Sequence, residues 1–211
     1  MPPQKPVGPL RTFLRKLATL VFGLFLSIPG LVRAQYSFST IDVPVAGAKA
    51  REINGNSTHE IVGEFEDASG IIHGFILEKR AFTTIDVPGT VSPNGKVAFT
   101  SLNGLNAQGR FVGTYSDGAT NHAFVANKGD FTTLDPPGSS YSQGGFINAQ
   151  GEVVGAYRDH NAKHPDQVDK RRGFVWRNGI FTPVNVPGDH PLCGTVAFGI
   201  NDIDQVVENY V

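Results

Sequence analysis

Two histidines each follow an aspartate at short range. Asp67 lies six residues before His73, and Asp117 five before His122. Such a pair can bond to itself across a hairpin or offer ligands to a metal. A third copy of the pattern has Asp159 with Arg172 in the histidine slot. Arginine also donates to a carboxylate, but it is hard to reconcile with a shared metal ligand, so a structural hydrogen-bonded pair is favoured. Further acids recur at Asp42, Asp86 and Asp135, with Asn185 in the fourth equivalent place. A ring of carboxylates would suit Ca²⁺, which takes six or more oxygens. A residue present in every copy more often serves the copy itself. An Asp after Thr bonds the backbone at a strand end, and a turn Asp caps its own loop. No cofactor is therefore expected, and Ca²⁺ is the one cation these acids would suit.

The only long irregular stretch spans 158–172. It holds His160, His164, Asp166 and Asp169, followed by Lys170-Arg171-Arg172. Two histidines near an aspartate are a metal-site composition, but beside Pro165 and without cysteine the spacing points to a solvated loop. Long loops on rigid scaffolds carry binding function, so these four residues form the candidate binding loop. Cys193 is the single cysteine, which excludes an internal disulfide, and no His-rich motif around it points to a nucleophile. SDGATNHAF at 116–124 partly resembles the Asp-box turn of sialidase-type propellers. That reading is set aside, because no arginine position repeats to bind a substrate carboxylate.

The elements that position these residues are copies of one motif. FSTIDVPV opens at Phe38, FTTIDVPG at Phe82, FTTLDPPG at Phe131 and FTPVNVPG at Phe181. The copies run 38–81, 82–130, 131–180 and 181–211, and a period in this range marks a supersecondary unit that stacks on its neighbours. Each full copy has an opening phrase, an Asn segment, an acid turn and a short apolar run (HGFIL, HAFVA, RGFVW). The runs are short, rich in Val, Ile, Phe and Tyr, and bounded by Asn, Gly, Asp and Pro, which predicts strands. In the opening phrase Phe82, Thr84 and Asp86 share one face and Thr83, Ile85 and Val87 the other. Asn54, Asn106, Asn148 and Asn201 each start a predicted hairpin turn, where the amide bonds the backbone two residues on. Gly63, Gly113 and Gly155 fall in mid-strand, which predicts close approach by a neighbouring ring or backbone. Four short antiparallel strands in about 45 residues is the arithmetic of a β-propeller blade. The expected fold is all-β: a propeller-like array of about four four-stranded blades. The fourth copy lacks the acid turn and the HGF run, so its blade should be incomplete and the least stable.

The pattern INxxGxVVGxY, then HGF or HAF, then FTTIDVPG, resembles the bacterial exported HAF-repeat family over nearly all of residues 36–211. That resemblance implies a propeller-like extracellular repeat and brings no catalytic residues with it.

Residues 1–34 carry five basic residues and no acid, an apolar run LATLVFGLFLSIPGLV, and a small-residue site at Val32-Arg33-Ala34. This is the three-part pattern of a secretory signal, with cleavage after Ala34. Domain organisation is then a signal peptide at 1–34 and one repeat domain at 35–211, secreted or periplasmic, with no stable membrane anchor after cleavage. The remaining chain has 13 Lys and Arg against 19 Asp and Glu, a net charge of −6. That charge argues against a nucleic-acid partner, which needs a basic face.

The expected function is a non-catalytic binding or interaction scaffold for a protein or glycan partner, with self-association through exposed edge strands as a second route to partners. The alternatives are a polysaccharide hydrolase or lyase, which would use acids unique to one copy such as Glu64, Glu66 or Glu152, and a remnant of a longer repeat protein.

Overall fold

The structure is a computed structural model, and it describes residues 37–57, 59–89, 99–127, 129–159, 171–184 and 194–210. The chain divides into two compact units, Met1–Thr40 and Ile41–Val211. Of the first, residues 37–40 are described and have no regular structure.

In the second unit the regular structure is entirely strand among the described residues. Sheet 1 holds β1 (Lys49–Asn56), β2 (Glu60–Glu66), β3 (Ile72–Glu78) and β4 (Ala81–Ile85), antiparallel and in chain order. Sheet 2 repeats this with β5 (Thr100–Leu105), β6 (Arg110–Ser116), β7 (Asn121–Asn127) and β8 (Asp130–Thr133). Sheet 3 holds β9 (Ser139–Ile147), β10 (Val153–Asp159), β11 (Arg171–Arg177) and β12 (Ile180–Val184). Sheet 4 has two strands, β13 (Thr195–Ile200) and β14 (Val206–Tyr210). The fold is a β-propeller-like array of three four-stranded sheets and, among the described residues, a two-stranded fourth.

The sheets are out of phase with the sequence copies. The phrase AFTTI pairs with β3 and so closes sheet 1, and DFTT and IFTPV close sheets 2 and 3 in the same way. The first copy of the phrase forms no strand, and Phe38 is almost fully exposed. A strand needs an open edge to pair with, and each later copy follows a hairpin whose outer strand, β3, β7 or β11, supplies one.

Each sheet packs on the next through its first strand: β5 lies on β1, β2 and β3, β9 on β5, β6 and β7, and β13 on β9, β10 and β11. The first joint gathers Val62, Ile76, Ile85 and Val87 of one layer with Leu102, Phe111, Phe124 and Phe131 of the other. The second repeats it with Val112, Ala123, Val125 and Leu134 against Ile147, Val153, Tyr157 and Phe174. Fully burying a Val, Leu or Phe side chain, as at Val62, Leu102, Val112, Phe124, Val153 and Phe174, is worth about 1.5–3 kcal/mol, so the joints hold the array together.

The mid-strand glycines leave room for a backbone carbonyl of the strand before (Glu52, Ser101, Gln143) and for a ring of the strand after. Gly63 is directly opposite Phe75, Gly113 opposite Phe124 and Gly155 opposite Phe174. A Cβ at these glycines would sit 2.9, 2.9 and 2.7 Å from the phenyl ring, closer than packed carbon atoms approach. The Phe of each HGF-type strand therefore lies over the glycine of the strand before it.

Candidate functional site

The recurrent acids and histidines assemble where three segments of a sheet meet. Asp67 opens the turn between β2 and β3, and its Oδ1 accepts from the amides of Ser69 (2.8 Å) and Ile71 (2.9 Å). Asp117 does the same between β6 and β7, accepting from Ala119 (2.7 Å) and Thr120 (2.9 Å). These amides hold the Asp67 and Asp117 carboxyls below the ordinary aspartate range, with the histidine a smaller contributor. The other oxygen of each turns to the neighbouring strand: His73 Nε2 lies 3.4 Å from Asp67 Oδ2, and His122 Nε2 3.4 Å from Asp117 Oδ2.

The closer partner of each histidine is a different acid. His73 Nδ1 lies 2.8 and 3.0 Å from the two oxygens of Asp86, just past β4, and His122 Nδ1 lies 2.8 Å from Asp135 Oδ2, past β8. Each imidazole thus spans two carboxylates, one on the turn before it and one at the end of the next strand. It is stacked on an aromatic ring of the preceding strand, Phe65 for His73 (5.2 Å) and Tyr115 for His122 (5.0 Å). In sheet 3 Arg172 Nε lies 3.1 Å from Asp159 Oδ2, with its N–H not aligned for a hydrogen bond. Reading the sequence for nearest neighbours misses Asp86 and Asp135 as histidine partners. The signal is the constant spacing of 13 residues, His73 to Asp86 and His122 to Asp135, which Arg172 to Asn185 repeats. Asn185 lies outside the described residues, as do His160, His164, Asp166, Asp169 and Cys193.

This arrangement limits the chemistry. A histidine acts as general base through a nitrogen open to the reacting group. Here both nitrogens face carboxylates of the chain itself. The acids lie on opposite sides of the ring and do not converge on one point, which is the layout of a strut. Asp135 is also bonded by Ser142 Oγ (2.5 Å), and Ser142 Oγ accepts from the Ala123 amide (2.6 Å). That serine sits beside a histidine–aspartate pair yet bonds the aspartate, so a serine–histidine relay is not assembled. Among the described residues, no group of three or more His, Cys, Asp or Glu side chains is placed to hold a metal ion.

The asparagines form a second recurrent feature. Asn106 Oδ1 accepts from the amides of Gln108 (3.1 Å) and Arg110 (3.0 Å), which closes the turn. Its Nδ2 donates to the Asn148 carbonyl of the next sheet (2.9 Å). Asn148 Nδ2 donates in turn to the Asn201 carbonyl (3.3 Å), and Asn54 Nδ2 to the Leu102 carbonyl (3.0 Å). One amide shapes its own hairpin with its oxygen and ties the following sheet with its nitrogen. A buried hydroxyl lies six residues before three of these asparagines, at Thr100, Ser142 and Thr195. Thr100 Oγ1 accepts from the Val87 amide of the preceding layer (3.2 Å).

The acids that a hydrolase or lyase would use are paired inside their own neighbourhood. Glu64 and Glu66 bond Arg51 (3.0 and 3.1 Å), and Glu66 also bonds Lys49 (3.3 Å). Glu152 accepts from Asn148 Nδ2 (2.8 Å) and pairs with Arg177, which reaches Asp204 of sheet 4 (3.1 Å).

An open groove of about 530 Å³ lies between sheets 1 and 2. Ile76, Ile85, Phe111 and Phe131 give it apolar walls, and Glu60, Asp86 and Gln108 supply polar groups. A smaller recess of about 380 Å³ adjoins it at Glu60, Glu78 and Lys79.

No family model, no curated protein and no solved structure matches the chain.

Proposed function

We propose that the chain is an exported, non-catalytic scaffold of the HAF-repeat kind, which binds a protein or glycan partner through the clefts and loops between successive sheets. The observation that carries this reading is the use of both ring nitrogens of His73 and of His122 on the chain's own aspartates. Groups that would serve a reaction are tied up identically in consecutive sheets, as structural elements are. The open apolar groove between sheets 1 and 2 gives such a scaffold a binding surface. The basic, apolar and small-residue segments of residues 1–34 support export. The scaffold takes no cofactor, and β14, paired only to β13 among the described residues, offers a strand edge for association with another chain.

The test is a panel of polysaccharides incubated with the purified full chain, with and without calcium. Reducing ends and unsaturated uronates are followed alongside retention of the intact polymer. Binding or inertness without new chain ends, and unaltered by calcium, is the expected result. Turnover of any polymer overturns the scaffold reading in favour of a hydrolase or lyase.

A further inference from the structure

We infer that the groove between sheets 1 and 2 receives an arginine side chain from an extended segment of a partner protein. This rests on the scaffold reading and names the chemistry of its partner.

The argument comes from the three equivalent corners of the array. Glu60, Arg110 and Glu152 occupy the same place, each two residues before a fully buried valine (Val62, Val112, Val154). At the second corner, between sheets 2 and 3, Arg110 lays its guanidinium over the turn at Gly151, where any side chain on Gly151 would run into it. At the third, Glu152 is bonded by the guanidinium of Arg177, which also holds Asp204 across the joint. Two of three corners are thus filled by arginine.

The first corner is built for the same group and lacks it. Glu60 stands directly opposite Glu78, a like-charge pair that costs stability on adjacent strands. Lys79 lies 3.2 Å from Glu78, but among the described residues no cation pairs with Glu60. Its bond there is a long one from Ser57 Oγ (3.4 Å). Gly109 stands where Gly151 stands at the second corner, and the groove opens in the space that Arg110 fills there. Asp86, on the same groove, is engaged by His73, so Glu60 is the carboxylate left to accept from a ligand. A guanidinium donates two parallel hydrogen bonds to a carboxylate, and Ile76, Ile85, Phe111 and Phe131 suit the methylene stem and its apolar neighbours.

The experiment titrates the full chain with the blocked peptide acetyl-Phe-Arg-Phe-amide and with its citrulline counterpart, which has the same shape and no charge. Backbone amide resonances of Gln108, Gly109 and Gly129 report the groove. The arginine peptide is expected to shift these amides and to bind about tenfold more tightly than the citrulline peptide, the margin of one charge-assisted pair. Glu60→Gln should bring the arginine peptide to the citrulline level while resonances of sheet 3 stay in place. Equal affinities for the two wild-type peptides, shifts confined to other sheets, or no shift at saturating peptide each overturn the proposal, and none depends on the variant folding. Polysaccharide turnover by the same sample would instead overturn the scaffold reading and leave the arginine preference to be judged separately.

Discussion

Sheets 2 and 4 carry the same phrase in unlike surroundings. NAQGRFVGTY at 106–115 and NDIDQVVENY at 201–210 both make an Asn turn followed by an outgoing strand. In sheet 2 that strand, β6, lies between β5 and β7 and packs against β9. In sheet 4, β14 has β13 as its one paired neighbour among the described residues. Val112 is fully buried, whereas Val207 at the same place is 64 % exposed. Gly113 lies under the Phe124 ring, whereas its counterpart is Glu208. The turn's left-handed position is Gly109 in one and Asp204, at φ +62°, in the other. The difference teaches that the strictest residues of the motif answer to neighbours. Among the described residues no third strand lays a phenylalanine over β14, and there the glycine is not required.

The largest expected effect tests this at the glycine. Gly113→Ala puts a Cβ 2.9 Å from the Phe124 ring and closer still to the Ser101 carbonyl. Overpacking of this kind should cost about 2–3 kcal/mol. Glu208→Ala should change stability by less than about 0.5 kcal/mol. Urea midpoints of the two variants read the contrast directly, and equal losses would break the comparison.

Asparagine gives the next contrast. Asn106 is buried and bonds Gln108, Arg110 and, across the joint, Asn148. Asn201 is exposed, and its amide nitrogen turns back on its own Gln205 (2.8 Å). Asn106→Ala should cost about 2 kcal/mol, since it also orphans buried groups, and Asn201→Ala below about 1 kcal/mol. The same midpoint measurement decides it, and a cost at Asn201 matching that at Asn106 would remove the role given to the cross-sheet bond.

Those contrasts also mark how far the sequence can be read. The Asn turn is legible because its signal is local: a short polar residue, two more, and a residue of positive φ at Gly109 or Gly151. The alternation of β4 is legible for the same reason. Its sheet membership is not, because Phe82-Thr83-Thr84-Ile85 has one pattern whether it begins a sheet or ends one. The hydrogen bonds to β3 decide that, and they are a property of the hairpin before it. The second carboxylate on each histidine hides similarly. Asp86 reaches His73 only because β4 closes the sheet that contains β3, so a reading that places the phrase in the following unit sends Asp86 elsewhere. Groove and cross-sheet bonds depend on how whole layers stack, which no single segment encodes.

Acid sharpens the comparison further, since the turn acids belong to the full sheets. The Thr120 and Ala119 amides, and then His122, favour the ionised form of Asp117, so its carboxyl is held below the ordinary value of about 3.9. A depressed folded value contributes stability above the unfolded pKa, and that contribution is lost as pH falls through the depressed value. Asp117→Asn keeps an oxygen for both turn amides but cannot titrate. Its acid limb below about pH 4 should be flatter than that of the parent chain, by at most about 1 kcal/mol given the exposure of the pair. Urea midpoints between neutral and acid pH measure it, and coincident limbs would show that the clamp adds nothing to acid stability.

The smallest effect lies in the turn of sheet 4. Asp204 takes a left-handed backbone that glycine adopts freely and that costs another residue about 1 kcal/mol. In return its carboxylate meets Arg177 at 3.1 Å, with both side chains more than half exposed. An exposed pair of this kind is worth about 0.2–1 kcal/mol, so the two terms nearly offset each other. Asp204→Gly should therefore change stability by only a few tenths of a kcal/mol at low salt. Salt separates the terms, because it screens the ion pair and leaves the backbone preference untouched. In about 1 M sodium chloride the glycine variant should become the more stable of the two chains. If salt leaves the difference between them unchanged, Arg177 does not compensate the turn, and sheet 4 holds Asp204 by some other contact.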